Sequence, residues 1–122
     1  MHRLKKNEHL VGIVSSNSHL LMNSLLCNAG IDTQIFNFII AREDVKRLKP
    51  YPDLYEKAAS ICGIPKDRIF AIEDSEPGIT AASNAGVNVV YIKDIAVVSE
   101  ESRKKCFAYG DSLTDVIDFL NI

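Results

Sequence analysis

Residues 69–86 read IFAIEDSEPGITAASNAG and contain the most informative pattern in the chain. A short apolar run leads into two adjacent carboxylates, Glu73 and Asp74, and a helix-forming segment follows at once. Ligands bind at the carboxyl ends of strands in an open α/β sheet, and carboxylate oxygens suit a hard divalent cation. The stretch therefore predicts a metal-assisted site. Taken alone, the acidic pair is more often an exposed turn, because charged side chains are usually exposed.

Short apolar runs alternate with amphipathic segments along the chain, which is typical of an α/β fold with a parallel sheet and flanking helices. Strands are predicted at 10–14, 36–40, 69–72 and 87–92, with a brief fifth at 106–109. Helices are predicted from the Ser18 cap to Gly30, from Pro52 and Asp53 to Gly63, from the acidic pair to Gly86, and over the terminal stripe of Leu113, Val116, Ile117 and Leu120. We expect a Rossmann-like sheet, with a polar loop at 93–105.

Composition limits the classes of function. A chain of 122 residues with 47% apolar content fits one domain, and the net charge of -2 is spread evenly, so no nucleic-acid partner is expected. Three well-separated cysteines, Cys27, Cys62 and Cys106, lack the pairing of a zinc site or a disulfide framework. The charged start does not resemble a signal peptide, and no run approaches the ~20 apolar residues that span a bilayer. We therefore expect a cytoplasmic protein without a membrane partner.

A second feature is the hydroxyl-rich segment that follows the first predicted strand. Ser15, Ser16, Asn17 and Ser18 come between an apolar run and a helix. Hydroxyls and free N–H groups at a helix N-terminus suit the oxygens of a phosphate. Simple capping by Ser18 or Asn17 is the commoner explanation for this segment by itself.

A third feature is Lys49, which precedes Pro50 and lies in the segment RLKPYPDLY. Two prolines stiffen the chain before a helix, so the ammonium is presented from a rigid loop. A fixed positive charge there can offset the charge of a transferring phosphoryl group. A lone lysine is usually just solvated, so this assignment depends on the other two features.

In this order, the three segments resemble the haloacid dehalogenase-like phosphohydrolases, most closely the branch of β-phosphoglucomutase and phosphoglycolate phosphatase. Ser15 matches the second motif of that family, Lys49 the third, and Glu73 with Asp74 the fourth. The resemblance covers nearly the whole chain and implies a Mg²⁺-dependent phosphatase or phosphomutase of small phosphorylated metabolites. It implies catalytic roles for Ser15 and Lys49, phosphate binding by Ser15, Ser16, Asn17 and Lys49, and Mg²⁺ binding by Glu73 and Asp74.

The chain lacks two parts that this family normally contains. The first motif, a strand followed by Asp-x-Asp-Gly-Thr that supplies the nucleophile and the general acid and base, has no match, and the cap domain is absent. Residues 1–122 therefore resemble an incomplete core, the C-terminal part of a longer enzyme. We expect negligible activity and weak or absent Mg²⁺ binding from the chain alone.

The missing strand is the central one in this family, between the strand before Ser15 and the strand before Asp74. Its loss leaves two inner edges with unpaired backbone groups. Either those strands pair directly, or self-association or an N-terminal fragment fills the gap.

Three other interpretations compete. A phosphoacceptor receiver domain also combines an acidic pair, a hydroxyl and a Lys-Pro dipeptide, but it places the acidic pair first. The segment GDSL at 110–113 spells an esterase signature, yet no histidine follows His19 to act as base, and capping by Ser112 explains it. The main alternative is a non-catalytic fragment that works only with a partner chain.

Overall fold

The computed structural model describes residues 9–92, 100–106 and 108–110. Within these ranges the strands are β1 (Gly12–Val14), β2 (Phe38–Ile40), β3 (Phe70–Glu73), β4 (Asn88–Ile92) and β5 (Ala108–Gly110). The helices are α1 (His19–Asn28), α2 (Asp53–Cys62), α3 (Glu76–Ala85) and α4 (Glu100–Lys104), with short 3-10 turns at Thr33–Ile35, Arg42–Asp44 and Lys66–Arg68. None of these helices is long and apolar enough to cross a membrane.

All strand pairs among the described residues are parallel, which confirms the predicted α/β class. β1 pairs with β2, and β4 lies between β3 and β5. No ladder joins β1 to β3, so the described strands form one sheet of two strands and one of three. The break falls between the strand before Ser15 and the strand before Asp74. This is the position at which the sequence predicts a missing central strand.

The helix boundaries follow the predicted caps. The hydroxyls of Ser18 and Ser75 each accept a hydrogen bond from an N–H in the first turn of α1 and α3. α2 and α3 end at Gly63 and Gly86, which have φ angles of 65° and 86°. Glycine adopts this left-handed conformation without the steric cost that a Cβ brings, so both helices stop at these residues.

Two buried clusters hold the elements together. The larger cluster includes three small residues of α3, all of them buried: Ala81, Ala82 and Ala85. The smaller cluster joins β2 to α2 through Ile40, Leu54 and Ala58. Val14 packs against both clusters, so the end of β1 is anchored to each half of the core.

Several sequence predictions differ from the structure. α1, predicted to run from the Ser18 cap to Gly30, is only shallowly buried: of its four leucines only Leu26 is buried, while Leu20 is 81% exposed. The sheet beside α1 has only two short strands, so there is little surface for the helix to cover. α4 lies inside the predicted loop 93–105, and β5 begins two residues later than predicted, at Ala108. The predicted terminal helix lies outside the described residues.

Candidate functional site

The loop after β1 presents two hydroxyls that do not cap α1. Ser18 is the cap, since its Oγ accepts from Leu21 N at 3.1 Å. Ser15 Oγ instead accepts from Asn17 N at 3.0 Å, which curls the loop back on itself. Ser16 Oγ is buried and has no hydrogen-bond partner among the described residues. Because a buried hydroxyl without a partner is costly, Ser16 is available to a ligand in a way that Ser18 is not.

A second loop, the turn Arg42–Asp44 that follows β2, braces the first. Arg42 N donates to Asn17 O at 2.9 Å, and Arg42 Nε donates to Ser16 O at 3.2 Å. Glu43 Oε1 accepts from His19 N at 3.1 Å, at the start of α1. The loop of residues 15–18, called the hydroxyl loop below, is therefore held in place by contacts along its length and at the start of α1. The sequence provided no signal for this bracing, because it joins residues about 25 positions apart through the pairing of β1 with β2.

Asp44 completes the brace and makes it sensitive to acid. Its Oδ2 accepts from Ala41 N at 2.9 Å and lies 2.6 Å from His19 Nε2. The hydrogen bond from Ala41 lowers the pKa of the Asp44 carboxyl, with His19 contributing, against the opposing effect of burial.

We predict that the free energy of unfolding of the Asp44→Asn chain falls less on acidification than that of the native chain. A folded-state pKa below the unfolded value of about 3.9 contributes stability above that pH, and the contribution is lost as pH falls through the folded pKa. Urea unfolding between pH 6 and pH 3 should show a smaller loss for the variant than for the native chain. Asp67→Asn is the matched control, since Asp67 is exposed and its carboxylate forms no hydrogen bond or ion pair with a described residue. An identical acid limb in native and Asp44→Asn chains would contradict the prediction.

Lys49 lies between the two sheets, at the carboxyl ends of β1 and β3. Its Nζ donates to Glu73 Oε2 at 2.7 Å and to Val14 O at 3.2 Å. Only 14% of its side chain is exposed, so it is not the solvated lysine that a lone Lys usually is. The ammonium thus joins the last residue of β1 to the last residue of β3. Val14 directly precedes Ser15, so the ammonium is bound at the carboxyl end of β1, where the hydroxyl-rich segment begins.

The loop that carries Lys49 is held rigid by its neighbours. Arg47 forms an ion pair with Asp53, with Nη2 2.9 Å from Oδ1. The Arg47 guanidinium also lies 4.6 Å from the centre of the Tyr51 ring. These contacts support the prediction that the lysine is presented from a stiff segment.

Glu73 faces the protein interior rather than solvent. It is 6% exposed, and besides Lys49 its carboxylate accepts a hydrogen bond from the Tyr55 hydroxyl. Burial, with the Glu73 charge adding to it, raises the pKa of Tyr55, so the hydroxyl remains a donor. Gly78 lies against the same carboxylate, and a Cβ at this position would overlap Glu73 Oε1. Neither Tyr55 nor Gly78 stood out in the sequence, because both look like ordinary helix residues.

Asp74 differs from its neighbour in being exposed. It lies between β3 and the Ser75 cap of α3, where the strand gives way to the loop. Among the described residues no group of three or more His, Cys, Asp or Glu side chains is arranged to hold a metal ion. Mg²⁺ requires near-octahedral oxygen coordination, so two carboxylates are a partial ligand set. Binding of Mg²⁺ by Glu73 and Asp74 remains a prediction.

Comparison with known proteins places this chain in a family. The family model described as haloacid dehalogenase-like hydrolase matches residues 1–92. Validoxylamine A 7'-phosphate phosphatase of Streptomyces hygroscopicus subsp. limoneus is 31% identical over 87 residues, 71% of this chain and 40% of that protein. Protein CbbY of Cereibacter sphaeroides is 35% identical over 82 residues, 67% of this chain and 34% of that protein.

A solved structure shows the same fold over almost the full length. β-Phosphoglucomutase from Clostridium difficile superposes with a TM-score of 0.79 and 23% identity, covering 98% of this chain and 51% of that chain. The chain thus spans at most about half of the proteins compared here. The chain belongs to the haloacid dehalogenase-like hydrolases.

Proposed function

We propose that this chain carries the phosphate-binding and magnesium-binding parts of a phosphoryl-transfer site that acts on small phosphorylated metabolites, as a phosphatase or a phosphomutase. The observation that carries the proposal is Lys49. A buried ammonium bridges the ends of β1 and β3, beside a hydroxyl loop on one side and an acidic pair on the other. Charge that develops during phosphoryl transfer is stabilised best by fixed groups of this kind.

Each group has a role in this proposal. The hydroxyls of Ser15 and Ser16, with the N–H groups around Asn17, hold the phosphoryl oxygens. Lys49 offsets their negative charge, and its bond to Glu73 keeps it aimed at the edge of the sheet. Glu73 and Asp74 would hold Mg²⁺, which when bound shields the charge of the transferring group. A hard cation fits this all-oxygen donor pair, although the pair by itself does not complete the coordination shell.

The site as described lacks a nucleophile. An aspartyl-phosphate mechanism needs a carboxylate opposite the phosphoryl group, and the family places it at the end of the central strand. Among the described residues, no strand lies between β1 and β3. We therefore propose that residues 1–122 form an incomplete core that transfers phosphoryl groups only once the strand and its aspartate are supplied, in a cytoplasmic setting.

Supplying the missing parts tests the proposal. We expect a chimera that joins an apolar strand and Asp-x-Asp-Gly-Thr through a flexible linker to Leu10 to hydrolyse p-nitrophenyl phosphate in the presence of Mg²⁺. Lys49→Ala in the chimera should lower kcat/KM by about 10² to 10³, the range seen when one charge-stabilising group is lost. Lys66→Ala is the matched control, because Lys66 pairs with Glu56 on the exposed surface. A folded chimera that is inactive, or one in which both lysine variants behave alike, would contradict the proposal.

A non-catalytic role is the second candidate, and the open break between the sheets favours it. Here the chain keeps the phosphate-binding side chains but serves only as one part of an assembly. Reading the coding sequence upstream of Met1 separates the two. A strand followed by Asp-x-Asp-Gly-Thr supports the enzyme, and its absence supports the non-catalytic role.

A further inference from the structure

Three leucines of α1 lie on a face that the core does not cover. Leu26 of the same helix is buried, whereas Leu21 and Leu25 are 45% and 49% exposed and Leu20 is 81% exposed. Leu21 and Leu25 are four residues apart, so their side chains lie one above the other on the helix surface. Ser24, which is also exposed, completes this leucine face. Exposed apolar side chains that are grouped in this way mark a contact surface, whereas single ones do not.

The leucine face and its surroundings are almost free of charge. Asp32 is the only Asp, Glu, Lys or Arg between Leu20 and Ile40, whereas α2 exposes Glu56 and Lys57. A charged partner would bury its charges here without a counter-charge, which is costly. Helices that lie on a membrane surface carry Lys or Arg on their polar face, and α1 has neither. The leucine face therefore fits a partner that is itself apolar and uncharged.

A second copy of α1 has this chemistry. In an antiparallel helix pair related by a twofold axis, residues at equal distances on either side of the axis lie at the same level. An axis at the level of Asn23 therefore places Leu21 of one copy against Leu25 of the other, and this contact forms twice in each dimer. We propose that two copies of this chain form a dimer through their leucine faces, with the two α1 helices packed antiparallel.

The size of the leucine face determines the strength of the dimer. α1 has ten residues and is about 15 Å long. Contacts along one helix of this length bury less than the ~800 Å² per partner that is found in interfaces of standard size. The dimer is therefore weak, with a Kd between about 10 µM and 1 mM, and its population depends on the concentration of the chain.

Antiparallel packing leaves both hydroxyl loops accessible. Each loop lies at the N-terminal end of its own α1, so the two loops lie at opposite ends of the helix pair. The leucine face also differs from the position of the missing strand, which lies between β1 and β3. Association through α1 is therefore a different contact from one that fills this position, and it does not depend on the proposed function.

Sedimentation equilibrium of the full chain tests the dimer. We expect the average mass to rise toward twice that of one chain as the concentration increases from about 10 µM to 1 mM. Leu21→Glu and Leu25→Lys each place a charge where a leucine of the other copy would bury it, so each variant alone should raise Kd at least about tenfold. Ile61→Glu is the matched control and should leave Kd unchanged, since Ile61 is 51% exposed but lies on α2.

A mixture of the two leucine variants tests the packing. When one Leu21→Glu chain pairs antiparallel with one Leu25→Lys chain, the new carboxylate faces the new ammonium, and the two unchanged leucines face each other. An equimolar mixture should therefore associate at least about tenfold more tightly than either variant alone. A variant that had unfolded could not be rescued in this way, and circular dichroism verifies the helix content of each variant.

Several results would overturn the proposal. These are a mass that stays at that of one chain at every concentration, equal effects of Leu21→Glu and Ile61→Glu, or a mixture that associates no better than its separate components. Recovery by a mixture of Leu21→Glu with Leu21→Lys instead would indicate parallel helices, which also contradicts the proposed packing. None of these measurements uses phosphatase activity, so the dimer and the proposed function can fail separately.

Discussion

Purified chain incubated with p-nitrophenyl phosphate and Mg²⁺ is expected to release phosphate no faster than a blank without protein. Ser15, Lys49 and the acidic pair can position and neutralise a phosphoryl group, but none of them supplies the carboxylate that attacks it. In other enzymes, loss of the nucleophile lowers turnover by about 10⁶. The measurement is the initial rate of nitrophenolate release at several protein concentrations, with and without EDTA.

Contaminating phosphatase is the main alternative source of a signal in this assay. The Asp74→Asn chain, purified in parallel, controls for it, because a contaminant is indifferent to the substitution. Release that scales with protein, requires Mg²⁺ and disappears in the variant would contradict the expectation. It would mean that the chain has a nucleophile of its own.

Replacing Lys49 by methionine should lower the free energy of unfolding by about 3–5 kcal/mol, the range for removing one partner of a buried ion pair. Glu73 is 6% exposed, and its Oε2 lies 2.7 Å from Lys49 Nζ. Without the ammonium, the carboxylate stays buried, and among the described residues the Tyr55 hydroxyl is its remaining side-chain donor. Urea denaturation at pH 7 measures the loss.

Two further chains identify the cause of that loss. Adding Glu73→Gln to Lys49→Met removes the unpaired charge, so the double variant should recover part of the stability. Lys66→Met breaks an ion pair in which both side chains are largely exposed, and should cost about 0–1 kcal/mol. A Lys49→Met chain as stable as Lys66→Met would contradict the buried role of this pair.

Local patterns were sufficient to predict most elements. The ends of α2 and α3 follow from Gly63 and Gly86, because a left-handed residue stops a helix wherever it lies. The alternation of apolar runs with helical segments predicts the parallel class, because parallel strands need crossovers. The prediction was poorer at 93–105, where α4 lies in a segment too polar and too short to show a periodic signal.

The sequence could propose candidate site residues but not the contacts between them. Ser15, Lys49 and Asp74 could be proposed because the carboxyl ends of parallel strands share one edge of the sheet, and their roles stay predictions. The sequence could not predict that Glu73 is buried while Asp74 is exposed, since the burial of adjacent residues depends on what packs against each of them. Tyr55 and Gly78 were missed for the same reason, as their contact with Glu73 joins α2, β3 and α3.

The amino-acid sequence by itself determined the order of strands and helices, their caps, the family motifs and the absence of a motif for the nucleophile, because each of these depends on residues close together in the chain. Only the tertiary structure decided that Lys49 bridges β1 and β3, that Ser16 Oγ is buried without a partner, and that Leu21 and Leu25 of α1 are exposed. The burial of a side chain, and the ion pairs it forms, depend on residues that are distant in sequence. Only the packing of the folded chain brings those residues together.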